Sequence, residues 1–163
     1  MLLVYLFQVY NFEVIIMNCT FFGNRDIRVD KIEAHLWQLL NDLITIYNVN
    51  TFFVGNEGNF DGIVQKQLKK LKQIYPDINY SIALAYLPTT KKELDIMDYN
   101  NTFIPEGVEI APKRFAIDRR NRWLIKNSDF VITCVLKTTG GAAKYKDLAM
   151  IKGKKIIEIS HFL

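Results

Sequence analysis

Alternation is the feature that most constrains how this chain can fold. Short apolar runs closed by glycine or proline take turns with longer segments whose apolar residues recur every three or four positions. Residues 14–22 (VIIMNCTFF) are a continuous apolar run ending at Gly23, the pattern of a strand buried on both faces. Asp30 and Glu33 then give a D-x-x-E helix-start signal, and Ile32, Leu36, Leu39, Leu40, Leu43 and Ile44 form one helical stripe. Residues 50–54 (NTFFV), closed by Gly55, predict a second strand. A helix is predicted from about Phe60 to Tyr75, ended by Pro76, and residues 78–86 (INYSIALAY) predict a third strand. A basic helix is expected at about 114–127, a strand at 129–135 and a helix from about Ala142 to Ile151. Gly153 is its C-cap, and the last strand spans 154–159.

Strands alternating with helices imply parallel pairing through right-handed crossovers, with helices on both sheet faces. Five strands predict a single doubly wound α/β domain, a mainly parallel sheet in the order 3-2-1-4-5. The order reverses between the first and fourth strands, and ligands of such sheets bind beyond the carboxyl ends of the strands at that point. The stretch from Leu87 to Pro112 breaks the rhythm. It holds all but one of the four prolines and five acidic residues, and reads either as a lid or binding loop or as a plain surface excursion.

The domain is expected to occupy residues 17–163. Residues 1–16 (MLLVYLFQVYNFEVII) are read as an N-terminal extension, with Met17 as the expected natural start. Intact mass of the native protein tests that expectation. No Lys or Arg precedes Arg25, so the positive n-region of a signal peptide is missing, and no apolar run reaches the ~18 residues of a membrane span. Two cysteines, Cys19 and Cys134, are too few for a disulfide scaffold or a four-thiolate metal site, and both fall in predicted core strands. A cytoplasmic protein with no metal and no cofactor is the expectation.

The net charge of +4 conceals a division. Residues 1–112 carry a net −4 and residues 113–163 a net +8, densest at Lys113, Arg114, Arg119, Arg120, Arg122 and Lys126. Such a field attracts anions, although most of these side chains also suit a solvated helix face.

Three loops should reach the predicted crevice. Gly23-Asn24-Arg25-Asp26 follows the first strand. Gly permits close backbone approach and Arg25 can clamp a phosphate or carboxylate, or the loop is a tight turn with a surface Arg. Gly55-Asn56-Glu57-Gly58 opens the second loop, whose N–H groups can face an anion, while Asn59 or Asp61 can instead cap the helix. Thr138-Thr139-Gly140-Gly141-Ala142-Ala143-Lys144 follows the fourth strand and is the most specific phosphate-cradle signal in the chain. None of the three matches a G-x-G-x-x-G or Walker A pattern. On a helical wheel Arg120 falls within the inward arc of Ala116, Ile117, Trp123 and Leu124, and Asp147 within that of Ala143, Leu148, Met150 and Ile151. An inward Arg and an inward Asp near one rim read as a structural ion pair or as a catalytic acid–cation pair.

The ordered set Gly23-x-Arg25, Arg120, Gly140-Gly141 and Asp147 resembles the superfamily named for Smf, DprA and LOG (SLOG). The strings NCTFFGNRD, VGNEGNFD, FAIDRRNRW and GGAAK look closest to its YpsA-like branch in Firmicutes and their phages. The resemblance covers about residues 17–160. It implies a Rossmann-like domain that binds nucleotides or their derivatives. LOG members cleave the N-glycosidic bond of a modified adenosine monophosphate, using an Arg that matches Arg120 and a P-G-G-x-G-T-x-x-E motif. In this chain Thr139 replaces the Pro, Ala143 and Lys144 replace Gly-Thr, and Asp147 stands for the Glu, one methylene shorter.

Three functions therefore compete. The first is nucleotide binding or sensing, with phosphate on Gly140-Gly141, Lys144 and Arg25 as cations, and Gly23, Asn24, Gly55, Asn56, Gly58 and Thr139 completing the site. The second is N-glycosidic hydrolysis by Arg120 and Asp147. The third is DprA-like binding of single-stranded DNA, with Trp123 or Tyr145 stacking on bases. The expected partner is a nucleotide-like small molecule, with a homodimer compatible, nucleic acid ranked lower and no membrane.

Overall fold

The computed structural model describes residues 15–163, so most of the expected extension lies outside the described residues. Six strands form one sheet: β1 (Met17–Gly23), β2 (Val49–Val54), β3 (Asn79–Ala83), β4 (Thr102–Phe103), β5 (Phe130–Cys134) and β6 (Lys155–Glu158). Their spatial order is β4-β3-β2-β1-β5-β6, and every pairing is parallel. The doubly wound α/β prediction holds, with one correction: the described residues form six strands rather than five. The extra strand is β4, two residues within the 87–112 insertion. It extends the sheet through Ile82↔Thr102 and Ala83↔Phe103, and Leu84 N–H donates to Phe103 O at 2.9 Å. Two residues are too few to show a period of 2 in sequence.

The helices are α1 (Val29–Thr45), α2 (Gly58–Ile74), α3 (Lys91–Ile96), α4 (Lys113–Lys126) and α5 (Gly141–Ile151). The insertion is thus partly ordered. Thr90 and Glu93 form a reciprocal capping box that starts α3.

The alternation of β1 distributes the core. Cys19 and Phe21 point to one face, where Ile32, Leu36, Leu40 and Leu43 of α1 meet Val64, Leu68 and Leu71 of α2. Each of these leucines is fully buried and contributes about 1.5–3 kcal/mol. Phe22 points to the other face and joins Leu124 and Ile125 of α4 with Tyr145 and Ala149 of α5. A satellite cluster of Ala85, Val108 and Ala116 fastens the insertion to the start of α4. At the far edge Glu158 ties the last two strands to α5. It accepts from Thr133 Oγ1 (2.8 Å), Lys146 Nζ (2.6 Å) and the N–H groups of Val135 and Ser160.

No helix among the described residues is long and apolar enough to cross a membrane. Nor do three His, Cys, Asp or Glu side chains among them gather as a metal site requires.

Candidate functional site

β1 pairs with β2 on one side and β5 on the other, so the winding reverses between β1 and β5. A cleft of about 230 Å³ opens there beyond the strand ends. Gly23, Asn24, Arg25, Gly55, Arg120 and Gly141 line it, all predicted from sequence. Phe22, Glu57, Asp61, Asn121, Ala142 and Tyr145 line it as well.

The loops are fastened to one another. Asn24 N–H donates to Cys134 O (3.1 Å), and Leu136 N–H donates to Asn24 Oδ1 (2.8 Å), which joins the segments leaving β1 and β5. Asn59 N–H donates to Arg25 O (2.8 Å), laying the second loop on the first. Gly58 sits at that crossing with φ +89°, and a Cβ there would lie 2.6 Å from Arg25 Cα. Gly23 meets the ring of Phe60, 2.3 Å from where a Cβ would be. Packing therefore demands glycine at 23 and 58, whereas the sequence suggested ligand approach.

Arg120 projects from α4 into the cleft and is only 4% exposed. Its Nε donates to Asn121 Oδ1 and its Nη1 to Asn56 Oδ1, both at 3.0 Å. A guanidinium has five N–H donors, and the other three meet no acceptor among the described residues. No carboxylate among these residues lies within salt-bridge distance of Arg120. The nearest acidic neighbour is Asp61, across Gly55. A Cβ on Gly55 would stand 2.5 Å from Asp61 Oδ2 and 3.6 Å from Arg120 Cζ, so the bare glycine is what admits both groups.

Asp61 is buried and accepts Glu57 N–H at 2.8 Å through Oδ2. It thus serves a cap from inside the helix, reaching back to the N-cap position occupied by Glu57. Burial pushes its carboxyl up to about 6, against the opposing Glu57 N–H bond and the nearby Arg120 charge. Burial also lowers Arg120 from its ordinary range, opposed by Asp61 and Glu57. Arg25 is mostly exposed and pairs with Glu57 at 3.0 Å.

At the third loop Gly140 has φ +100°, and α5 begins without a side-chain cap. Its first-turn N–H groups are left to water or a ligand, and Gly141 and Ala142 face the cleft. Thr139, Gly140 and Lys144 are exposed and lie outside the cleft lining. Lys144 Nζ is held by Asp118 Oδ1 (2.6 Å), which also accepts Tyr145 OH (2.9 Å), while Asp118 Oδ2 accepts Arg122 Nε (2.6 Å). The bond from Lys144, opposed by burial and reinforced by Arg122 and Tyr145, holds the Asp118 carboxyl down at about 2.

Three expectations about orientation need correction. Asp147 is exposed, as are Met150 and Ile151 of its supposed inward arc. The face of α5 that packs is Ala143, Tyr145 and Ala149. The carboxylate nearest Arg120 in the cleft is Asp61. Tyr145 is buried against Phe22 (ring centroids 5.5 Å apart), and Trp123 is half-buried edge-on to Phe53 and Phe103. Neither is a free stacking platform.

No family model matches the chain, and no curated protein matches it. Among solved structures it is similar to the X-ray structure of DNA processing protein A (DprA) from Streptococcus pneumoniae. The TM-score is 0.64 at 14% identity, over 89% of this chain and 50% of that one. The chain thus spans about half the length of that protein. At this identity the likeness shows a shared fold.

Proposed function

We propose that the cleft binds the phosphoryl group of a nucleotide or nucleotide derivative and that the protein works as a binding or sensing module. Arg120 carries this reading. Its guanidinium is almost wholly buried, has no salt-bridge partner among the described residues, and keeps donors that open to the cleft, where a bound anion would pair with them. The uncapped N-terminus of α5 supplies further N–H donors on the same cleft, and Arg25 a second cation. Gly140 gives the chain its turn into that helix. Lys144 joins the site by leaving Asp118, an exposed pair that costs little to break. The YpsA-like resemblance points the same way. Binding is favoured over N-glycosidic hydrolysis because Asp147, the residue matching the family's carboxylate, is exposed and outside the cleft lining.

Calorimetric titration with inorganic phosphate, ribose 5-phosphate and nucleotides tests the reading. Micromolar to millimolar binding that falls at least tenfold in Arg120→Ala, with the fold intact by circular dichroism, is the expected result. Equal binding by parent and variant would refute it.

The likeness to a DNA processing protein supports a second reading, single-stranded DNA on the +8 portion of the chain. Affinity for an oligonucleotide would then fall steeply with salt.

A further inference from the structure

The cleft is too small for a whole nucleotide. Ligand sites ordinarily enclose about 300–1,000 Å³, and 230 Å³ accommodates a phosphoryl group and part of a sugar. A second cavity of about 690 Å³ adjoins it. The two share Glu57. Gly55 faces the first, and its neighbours Asn56 and Gly58 face the second.

Their chemistry differs. The first cleft sets Arg120 and Arg25 beside Glu57 and Asp61, and Arg120 donors and the uncapped N–H groups of α5 remain open there to an anion. The second has apolar walls from Ile82, Leu84, Leu87 and Met97 and three carboxylates, Glu57, Glu93 and Asp98, against the single cation Lys113. Two of those carboxylates already have partners. Glu93 accepts the N–H groups of Thr89 and Thr90, and Asp98 accepts Tyr80 OH and Asn101 Nδ2. They set the sign of the local field and repel a second phosphate. Glu57 differs. Its Oε2 meets Arg25 in a largely exposed pair, its Oε1 has no hydrogen bond among the described residues, and it stands where the cavities meet. The wall of the second cavity is the 84–98 segment, which contains the capped helix α3.

We propose that the second cavity holds the remainder of the same ligand: a neutral or cationic nitrogen heterocycle joined to the anionic group at Arg120, with Glu57 accepting a hydrogen bond at the junction. This rests on the reading of the first cleft as an anion site. The ligand then carries a single phosphoryl group, of nucleoside monophosphate type, and the insertion selects its base.

Gly62 allows a clean test. It lines the second cavity from within α2, its φ is not in the left-handed region, and a Cβ there would meet nothing within 4 Å. Gly62→Phe therefore places a ring at the wall of the cavity without backbone strain, obstructing it, and Gly62→Ala is the control. Inorganic phosphate, ribose 5-phosphate and the four nucleoside 5′-monophosphates would be titrated calorimetrically into parent and variants. The expected result has three parts. At least one monophosphate binds tenfold or more tighter than ribose 5-phosphate to the parent. Gly62→Phe abolishes that advantage and leaves phosphate and ribose 5-phosphate unchanged. Gly62→Ala retains it. If phosphate and ribose 5-phosphate bind through Arg120 but no monophosphate gains over them, or Gly62→Phe leaves the gain intact, this proposal alone is overturned. If none of the probes binds, the anion site falls and this proposal with it.

Discussion

Asp61 makes the electrostatics of the cleft measurable without a ligand. Its carboxyl titrates near 6 in the fold against an ordinary 3.8. One pH unit of displacement corresponds to about 1.4 kcal/mol, so ionising Asp61 costs the folded state about 3 kcal/mol by pH 7. The sign follows from proton counting. Between pH 4 and 6 the folded chain holds a proton that the unfolded chain has released, so this group's contribution to stability falls as pH rises and is lost above about 6. The charged groups around it are Arg120, Glu57 and Arg25. Asp61→Asn keeps an acceptor for Glu57 N–H and removes the titration. Urea unfolding of parent and variant from pH 4 to 7.5 is the assay. Apart from a constant offset, the variant should match the parent at pH 4 and gain about 3 kcal/mol on it by pH 7. Binding of sulfate, whose charge does not change over this range, should also strengthen as pH falls through 6, because neutral Asp61 leaves the field around Arg120 more positive. Parallel stability curves for parent and variant would show that Asp61 is not the buried, raised carboxyl described above.

Two further substitutions probe the scaffold. Gly55→Ala puts a Cβ 2.5 Å from Asp61 Oδ2, so the Glu57–Asp61 bond must shift. Overpacking of this kind costs about 1–3 kcal/mol, and thermal unfolding should show a lower Tm together with weaker phosphate binding. Asp118→Asn should lose stability relative to the parent at neutral pH, by up to about 1 kcal/mol given its partial exposure. The parent's advantage should be full above pH 4 and vanish as pH falls toward 2, measured by acid titration followed by circular dichroism.

The sheet, its winding and the position of the cleft were legible because each rests on a long periodic signal. Fully buried strands read as apolar runs, and the α1 and α2 stripes name their own inward faces. Arg120 was legible for the same reason, as a charge within an apolar arc. Asp147 was misplaced because α5 packs with small residues. Ala143 and Ala149 mark its buried face weakly, while Met150 and Ile151, large and apolar, stand exposed. Asp61 and Asn121 carry no signal of this kind. Asp61 reaches the cleft because the second loop is laid on the first, and Asn121 because it stands beside Arg120 on α4. The glycines were found, but three of them for other physical reasons: Gly23 makes room for Phe60, Gly58 for Arg25, and Gly55 for the approach of Asp61 and Arg120.

The fastening of the loops by Asn24 and Gly58 bears on how a ligand would be received. Hydrogen bonds from backbone N–H groups, two to carbonyls and one to the Asn24 side chain, join the segments leaving β1, β2 and β5 before anything enters the cleft. The conformational entropy of arranging these segments is lost when the chain folds rather than when it binds. An incoming anion therefore meets a vessel already cast. Its residence there depends on fit and charge, and two exposed side chains, Arg25 and Lys144, are free to turn toward it, each releasing a surface partner.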